Sequence, residues 1–220
     1  MTYYICDKPW EPEILGISDG LSQAMVDEKG FKDKTSYKTF MHSFGSPLRM
    51  ADDQEAFEIN FELECVRLKK HATITDFLWF SPMSYFLISS RLRTILSEFN
   101  LQDHKYFKAY VTNGSERFEY NFMYMRHFGF GTIDFPKCEF VIGNRYDGFK
   151  TIYFDSLDEL RKSKDLPGKK RIALKGIDNS LDMFETKLLA DPIISEKLKK
   201  RLEYEKITGI KFKPIEIEFQ

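Results

Sequence analysis

The chain has few of the residues that build metal sites or disulfide frameworks. Its 220 residues include only 3 cysteines and 4 histidines. Cys6, Cys65 and Cys138 lie far apart without a CxxC pair, so their spacing supports neither a disulfide framework nor a zinc site. The histidines show no HExxH or His-x-His spacing. We therefore expect no metal and no cofactor, and a reducing compartment, the cytoplasm.

Long apolar runs and an excess of one charge are also missing. The longest uncharged run, residues 77–90, is too short to cross a bilayer, and residues 1–13 lack the features of a secretory signal. Lys and Arg number 33 against 34 Asp and Glu, which gives a net charge of -1. Such a balance provides no bulk attraction for nucleic acid or for an anionic membrane. We expect neither as a partner.

Aromatic residues are abundant and suggest a strand-rich core. The chain contains 21 Phe and 11 Tyr, and its length suits a single domain over residues 1–220. Apolar and polar residues alternate over residues 57–65, which predicts a half-buried strand. Asn113-Gly114 predicts the turn of a hairpin, followed by aromatic residues at alternate positions from 118 to 124. These aromatics fit a core strand, with a protein interface as the alternative.

The first fifty residues are the least patterned part of the chain. TYYIC at residues 2–6 predicts a short strand. Prolines and glycines then recur up to Gly30, which predicts a loosely organised lead segment over residues 1–50, with one possible helical turn near residues 21–26.

A repeated unit is the clearest pattern. Residues 86–111 and 192–219 each read as a serine cap, an amphipathic helix, a short loop and a strand. Six positions match at one constant offset: Ile88, Ser89, Leu92, Leu96, Leu101 and Tyr106 match Ile194, Ser195, Leu198, Leu202, Ile207 and Phe212. We predict an α+β fold with a mostly antiparallel sheet on which both units pack, with Leu96 and Leu202 buried.

No catalytic motif is present, and one charged pattern remains as a candidate site. Glu58, Glu62 and Glu64 lie on the polar side of the strand predicted over residues 57–65. Carboxylates on one strand face repel each other, and a basic protein partner would relieve that repulsion. The simpler interpretation is a solvated sheet face. Residues 9–47 are the next candidate for a binding segment, because loops on a scaffold often carry binding.

The end of the chain carries a motif that resembles bacterial immunity proteins of polymorphic toxin systems, in the immunity protein 11 and immunity protein 43 group. The matching positions are Ile194, Ser195, Glu196, Leu198, Leu202, Ile207, Thr208, Gly209, Phe212 and Pro214. The order of an earlier Ser-helix unit, a strand and an aromatic hairpin is also similar to that group. The earlier unit departs from the pattern because it lacks the glycine and proline of the second.

The resemblance implies a non-catalytic cytoplasmic protein that binds and neutralises a cognate toxin domain. The matching residues look structural and do not locate the binding surface. Two alternatives stay open: an enzyme of unrecognised type, with His127, Asp134 and Glu139 brought together by folding, or a protein-binding adaptor module. The sequence indicates neither the activity of the toxin nor an oligomeric state.

Overall fold

A computed structural model describes residues 2–19, 22–44, 57–81, 86–144, 146, 148–164 and 167–220. In these ranges the helices are α1 (Pro12–Leu15), α2 (Lys34–Phe44), α3 (Ser90–Leu96), α4 (Leu157–Lys162) and α5 (Glu196–Tyr204). The strands are β1 (Thr2–Asp7), β2 (Ala24–Val26), β3 (Leu63–Leu68), β4 (Phe77–Ser81), β5 (Phe86–Ser89), β6 (His104–Asn113), β7 (Glu116–Met125), β8 (Glu139–Asn144), β9 (Gly148–Ile152), β10 (Gly168–Leu174), β11 (Met183–Thr186), β12 (Leu189–Ser195) and β13 (Lys211–Phe219).

The strands form two sheets. One is a closed barrel in the order β2-β3-β6-β7-β5-β4, and the other is an open seven-stranded sheet in the order β11-β12-β1-β13-β10-β8-β9. The presence of both helices and strands agrees with the predicted α+β class. The expectation of one mostly antiparallel sheet is corrected, because there are two sheets and both are mixed. β2 pairs with β4, β3 with β6, and β10 with β13 in parallel.

The segment predicted to be loosely organised contributes one strand to each sheet and helix α2. β1 lies inside the seven-stranded sheet, and β2 closes the barrel, in place of the helical turn expected near residues 21–26. The spacing of Tyr37, Phe40, Met41 and Phe44 puts one apolar stripe on α2. Phe40 and Phe44 are almost fully buried and pack against Phe122 at ring-centroid distances of 5.7 and 5.2 Å. Helix α2 therefore fills the barrel with its aromatic face.

The two repeated units occupy equivalent places in different sheets. Phe77 pairs with Ile88 between β4 and β5, and the equivalent Met183 pairs with Ile194 between β11 and β12. The equivalence extends to strands that the sequence comparison did not include. The parallel pair Val66–Val111 of β3 and β6 corresponds to Ile172–Ile217 of β10 and β13. We call β3, β4, β5, α3 and β6 the barrel half, and β10, β11, β12, α5 and β13 the open half.

Each half takes one central strand from elsewhere in the chain. In the barrel half β7 lies between β5 and β6, and in the open half β1 lies between β12 and β13. Their registers agree: Tyr106 pairs with Met123, and the equivalent Phe212 pairs with Cys6. One half thus takes a strand that follows its repeat unit, and the other takes a strand that precedes it.

Both repeat helices begin with the same arrangement of serine and aspartate. The hydroxyl of Ser89 accepts a hydrogen bond from the backbone N–H of Leu92 and donates to Asp76 at 2.7 Å. The hydroxyl of Ser195 accepts from the N–H of Leu198 and donates to Asp182, also at 2.7 Å. Each serine is therefore a helix cap fixed by a second residue, and the predicted caps are confirmed.

The two aspartates also join the halves to each other. Asp76, in the barrel half, accepts hydrogen bonds at 3.1 Å from the N–H and the hydroxyl of Thr208, which follows α5. Asp182, in the open half, accepts one at 3.2 Å from the N–H of Asn100, which follows α3. Each half thus holds the loop behind the other half's helix. We call this pair of contacts the reciprocal clasp.

A buried cluster between the halves is built from equivalent residues of both. Leu92, Leu96, Leu198 and Leu202 belong to it, together with the paired positions Phe77 and Met183, Ile88 and Ile194, and Cys6 and Met123. We propose that residues 1–220 form one cooperative domain, because separating the halves would expose this cluster and break the reciprocal clasp.

Leu96→Ala and Leu202→Ala should each lower the free energy of unfolding by about 2–5 kcal/mol, since each leaves a cavity in the shared cluster. Both leucines are almost completely buried, as predicted. Chemical denaturation followed by circular dichroism would measure the change as a shift of one transition. Near-neutral effects at both positions would contradict the packing, and a separate transition for each half would contradict the single domain.

Candidate functional site

Glu58, Glu62 and Glu64 do not share one strand. β3 begins only at Leu63, and residues 59–62 have no regular secondary structure. The ammonium group of Lys105 accounts for the difference, because it donates hydrogen bonds to the carbonyl groups of Phe57 and Ile59 that a strand would use in its ladder. The predicted strand over residues 57–65 is therefore wrong in its first part. Residues 57 and 58 are helical, and the alternation reflects instead that Phe57 and Ile59 pack against the barrel core.

Glu64 has a structural role. Its carboxylate accepts hydrogen bonds from the backbone N–H groups of Lys32 and Asp33, just before α2 begins at Lys34. Backbone N–H groups next to a helix start need such acceptors. Glu64 thereby fixes the entry to the helix that fills the barrel.

Glu62 lies where two open clefts meet on the outside of the barrel. The first cleft, of about 360 Å³, is lined by Asn60, Phe61, Glu62, Tyr106, Phe107 and Lys108. The second, of about 390 Å³, is lined by Gly30, Lys32, Glu62, Glu64, Cys65, Tyr110, Thr112 and Arg117. We call these two clefts together the Glu62 surface. Glu58 is exposed, whereas Glu62 is half-buried.

The Glu62 surface carries both signs of charge, and its tyrosines lie close to basic groups. Lys32, Lys108 and Arg117 share the clefts with the carboxylates. The guanidinium of Arg117 stacks over the ring of Tyr110 at 3.6 Å from the centroid. Basic groups this close offset the repulsion between the carboxylates. Tyr and Arg are also the residues most enriched at protein interfaces, so the surface has the composition of a binding site.

Sequence reasoning missed Tyr110 and Arg117. Both flank the turn of the predicted β6–β7 hairpin, whose loop residues are Gly114 and Ser115, one position later than the predicted Asn113-Gly114. The register pairs Tyr110 with Glu119 and Thr112 with Arg117. Antiparallel register therefore places the two side chains on one face, a signal that was available once the turn had been identified.

The three residues of the enzyme hypothesis bind different partners. His127 contacts Glu185 at 2.9 Å between Nε2 and a carboxylate oxygen, with both side chains buried. Asp134 pairs with Lys137, and Glu139 pairs with Lys170 and Arg171. These ion pairs do not join the three residues to one another. Within the described ranges there is also no group of three or more His, Cys, Asp or Glu residues suited to a metal ion.

A comparison with protein-family models matches residues 24–216 to one described as Immunity protein family (Imm11). The chain belongs to the Imm11 immunity protein family. The match runs from β2 to β13 and so includes the barrel and most of the open sheet. A search of curated proteins finds no match. None of the helices in the described ranges has the length and apolarity that crossing a bilayer requires.

The resemblance to the immunity protein 11 group is thus confirmed, and its motif has a structural explanation in this Imm11 member. Ser195 caps α5, and Thr208 bonds to Asp76 in the reciprocal clasp. Gly209 has a φ of +83°, and a Cβ at that position would lie 2.1 Å from the carbonyl oxygen of Phe77. Only glycine fits such a place without displacing the backbone of β4.

The same Imm11 chain contains a second group of ionisable residues where β1, β11 and β12 meet. Burial, followed by the charges of Asp7 and Glu185, raises the pKa of Asp191 to about 6. Burial, Asp191 and Glu185 likewise raise the pKa of the Cys6 thiol. The thiol is therefore held in its unreactive protonated form. The carboxylate of Asp191 is a source of instability at neutral pH.

Asp191→Asn should stabilise the protein at neutral pH. A carboxyl group whose pKa is raised on folding stabilises the fold below the pKa of the unfolded chain, and that contribution is lost as the pH rises through the folded value of about 6. We expect the variant to gain up to about 3 kcal/mol at pH ~7 and no advantage below pH ~4. Urea unfolding across this range would test it. A difference independent of pH would contradict the assignment.

Proposed function

We propose that this protein is a non-catalytic immunity protein that binds and neutralises a cognate toxin domain in the cytoplasm. The supporting observation is the Imm11 match over residues 24–216. The match includes residues that hold the two halves together, such as Asp76, Asp182 and Thr208. An inhibitor of this kind needs only one complementary surface, and the fold does not dictate what the toxin does.

The Glu62 surface is the toxin-binding site in this proposal. Glu58 is exposed two residues before Asn60, which lines the first cleft, and Glu62 lines both clefts. Tyr110 and Arg117 provide a stacked pair with both apolar and charged character. Charges at the margin of an interface mainly set the association rate, whereas anchors near its centre mainly set the dissociation rate. We assign Glu58 and Glu62 to the first role and the Tyr110–Arg117 pair to the second. Glu64 contributes indirectly, through the position of α2.

The purified chain should abolish the activity of the toxin domain encoded next to its gene in proportion to the amount added, with complete inhibition at an equimolar ratio. A binder acts stoichiometrically, whereas an enzyme that modifies the toxin would act in far smaller amounts. An adaptor module would bind without inhibiting. Titration of toxin activity, together with growth of cells that express both proteins, distinguishes these cases. Failure to protect or inhibit would refute the proposal.

The double substitution Glu58→Lys/Glu62→Lys should slow association with that toxin domain by about tenfold at low salt. The fold should stay intact, because Glu58 is exposed and Glu62 lines open clefts, and charges in contact with solvent contribute little to stability. Glu64 is left unchanged because its loss would disturb α2. Glu203→Lys/Glu216→Lys is the matched control, since it makes the same change in net charge at exposed positions outside both the Glu62 surface and residues 9–47.

Stopped-flow measurements at several salt concentrations would compare both double variants with the unmodified chain. We expect only Glu58→Lys/Glu62→Lys to associate slowly with the toxin domain, and the salt dependence of its association rate to change. Equal rates for the two double variants would exclude the Glu62 surface and leave residues 9–47 as the next site to test.

A further inference from the structure

Strand β9 forms an open edge of the seven-stranded sheet. It is the last strand in the sheet order and pairs with β8. Four of its five residues are exposed, and the fifth is half-buried. Phe149 is 65% exposed, and Tyr153, directly after the strand, is 57% exposed. An exposed edge with large apolar side chains is a place where another strand can add.

The opposite edge of the same sheet is covered. All four residues of β11 are buried. Leu101 and Phe128 form bridges to Met183 and Thr186 of this strand, and the side chain of Gln102 accepts a hydrogen bond from the N–H of Glu185. The sheet thus protects one of its edges with its own chain, and the exposure of β9 is specific to that strand.

The open edge arises where the two halves differ. In the barrel, β2 pairs with both β3 and β4 and so closes the sheet. In the open half β8 pairs with β10, the equivalent of β3, but its other side is occupied by β9. β9 therefore takes the place through which the sheet would close on β11, and its own outer side pairs with none of the strands in the described ranges.

The sequence of β9 is suited to pairing with itself. Around a two-fold axis at Thr151, two antiparallel copies place Phe149 opposite Tyr153 of the second copy, twice per dimer. The same axis places Thr151 opposite Thr151 and Lys150 opposite Ile152. Aromatic pairs and threonine pairs on opposed strands are stabilising, and the stem of a lysine packs on an apolar neighbour. We propose that two copies of this chain associate through β9 in this register.

Neighbouring registers are less favourable. An axis at Lys150 would set two ammonium groups directly opposite each other, which is destabilising. An axis at Phe149 or Ile152 shortens the overlap of the two strands. It also removes both Phe149–Tyr153 pairs, since Phe149 would then face Phe149 or Asp155. An axis between residues is not possible, because a two-fold axis perpendicular to the sheet keeps each side chain on its own face. The same surface patch then serves both copies, as two-fold symmetry requires.

The decisive experiment exchanges the charge at the axis. Thr151→Lys and Thr151→Glu should each be monomeric when alone, because like charges meet at the axis. An equimolar mixture of the two should form dimers, because each Lys then faces a Glu. Sedimentation velocity of the full chain from micromolar to submillimolar concentration would measure this, with the unmodified chain expected to change from one to two copies.

A second variant tests the aromatic pairs. Phe149→Ser removes both pairs from a dimer and should raise the dissociation constant by about tenfold. Tyr204→Ser is the matched control, since Tyr204 is an exposed aromatic on α5 and should not matter. Circular dichroism checks that all variants are folded.

Two outcomes would overturn the proposal. The unmodified chain could remain monomeric over the whole range. Alternatively it could form dimers that Thr151→Lys and Thr151→Glu leave unchanged, which would place the interface elsewhere. The experiment uses this chain alone, so its result does not depend on the toxin-binding function.

Discussion

The reciprocal clasp is the constraint on which the rest of the molecule depends. Asp76 and Asp182 each fix a capping serine of their own half and hold a loop of the other half. A serine hydroxyl can cap a helix only in one side-chain rotamer. The aspartate fixes that rotamer by accepting a hydrogen bond from the hydroxyl. The helix starts, the loops behind the helices and the packing of the two sheets are therefore specified together. The family motif around Ser195, Thr208 and Gly209 is the part of this arrangement that the sequence displays.

The duplicated architecture could be predicted only in part. The offset between Ser89 and Ser195 was visible because cap, helix stripe and strand are local patterns. The equivalence of β3 and β10 was not, because LECVRL and GKKRIAL share only two apolar matches at that offset, Val66 with Ile172 and Leu68 with Leu174. β7 and β1 play the same role on opposite sides of their units, so no single offset along the chain relates them. The equivalence of β7 and β1 is therefore visible only in the order of the strands in the two sheets.

The candidate site shows a similar division. The β6–β7 hairpin and its buried aromatics followed from alternation and the Asn-Gly turn. The strand assigned to the three glutamates failed in its first part because Lys105, more than forty positions away, takes the carbonyl groups of Phe57 and Ile59. Helix α2 was overlooked although its apolar stripe is regular, because the glycines and prolines before it were given too much weight. Long-range hydrogen bonds and the choice between competing local signals are what a single sequence leaves undetermined.

The position of β1 has a consequence for how the chain is made. This strand is synthesised before every other described strand, yet its two neighbours are β12 and β13, which pair with it at residues such as Ser195 and Glu216. The open half cannot be completed until nearly all of the described chain has been synthesised, and contacts of such long sequence separation form slowly. All strands of the barrel are synthesised by residue 125, but the hydrogen bond from Thr208 to Asp76 can form only after Thr208 has been synthesised. During translation all strands of the barrel are therefore present before the second sheet can be completed. The last strand, β13, then completes the buried cluster between the halves.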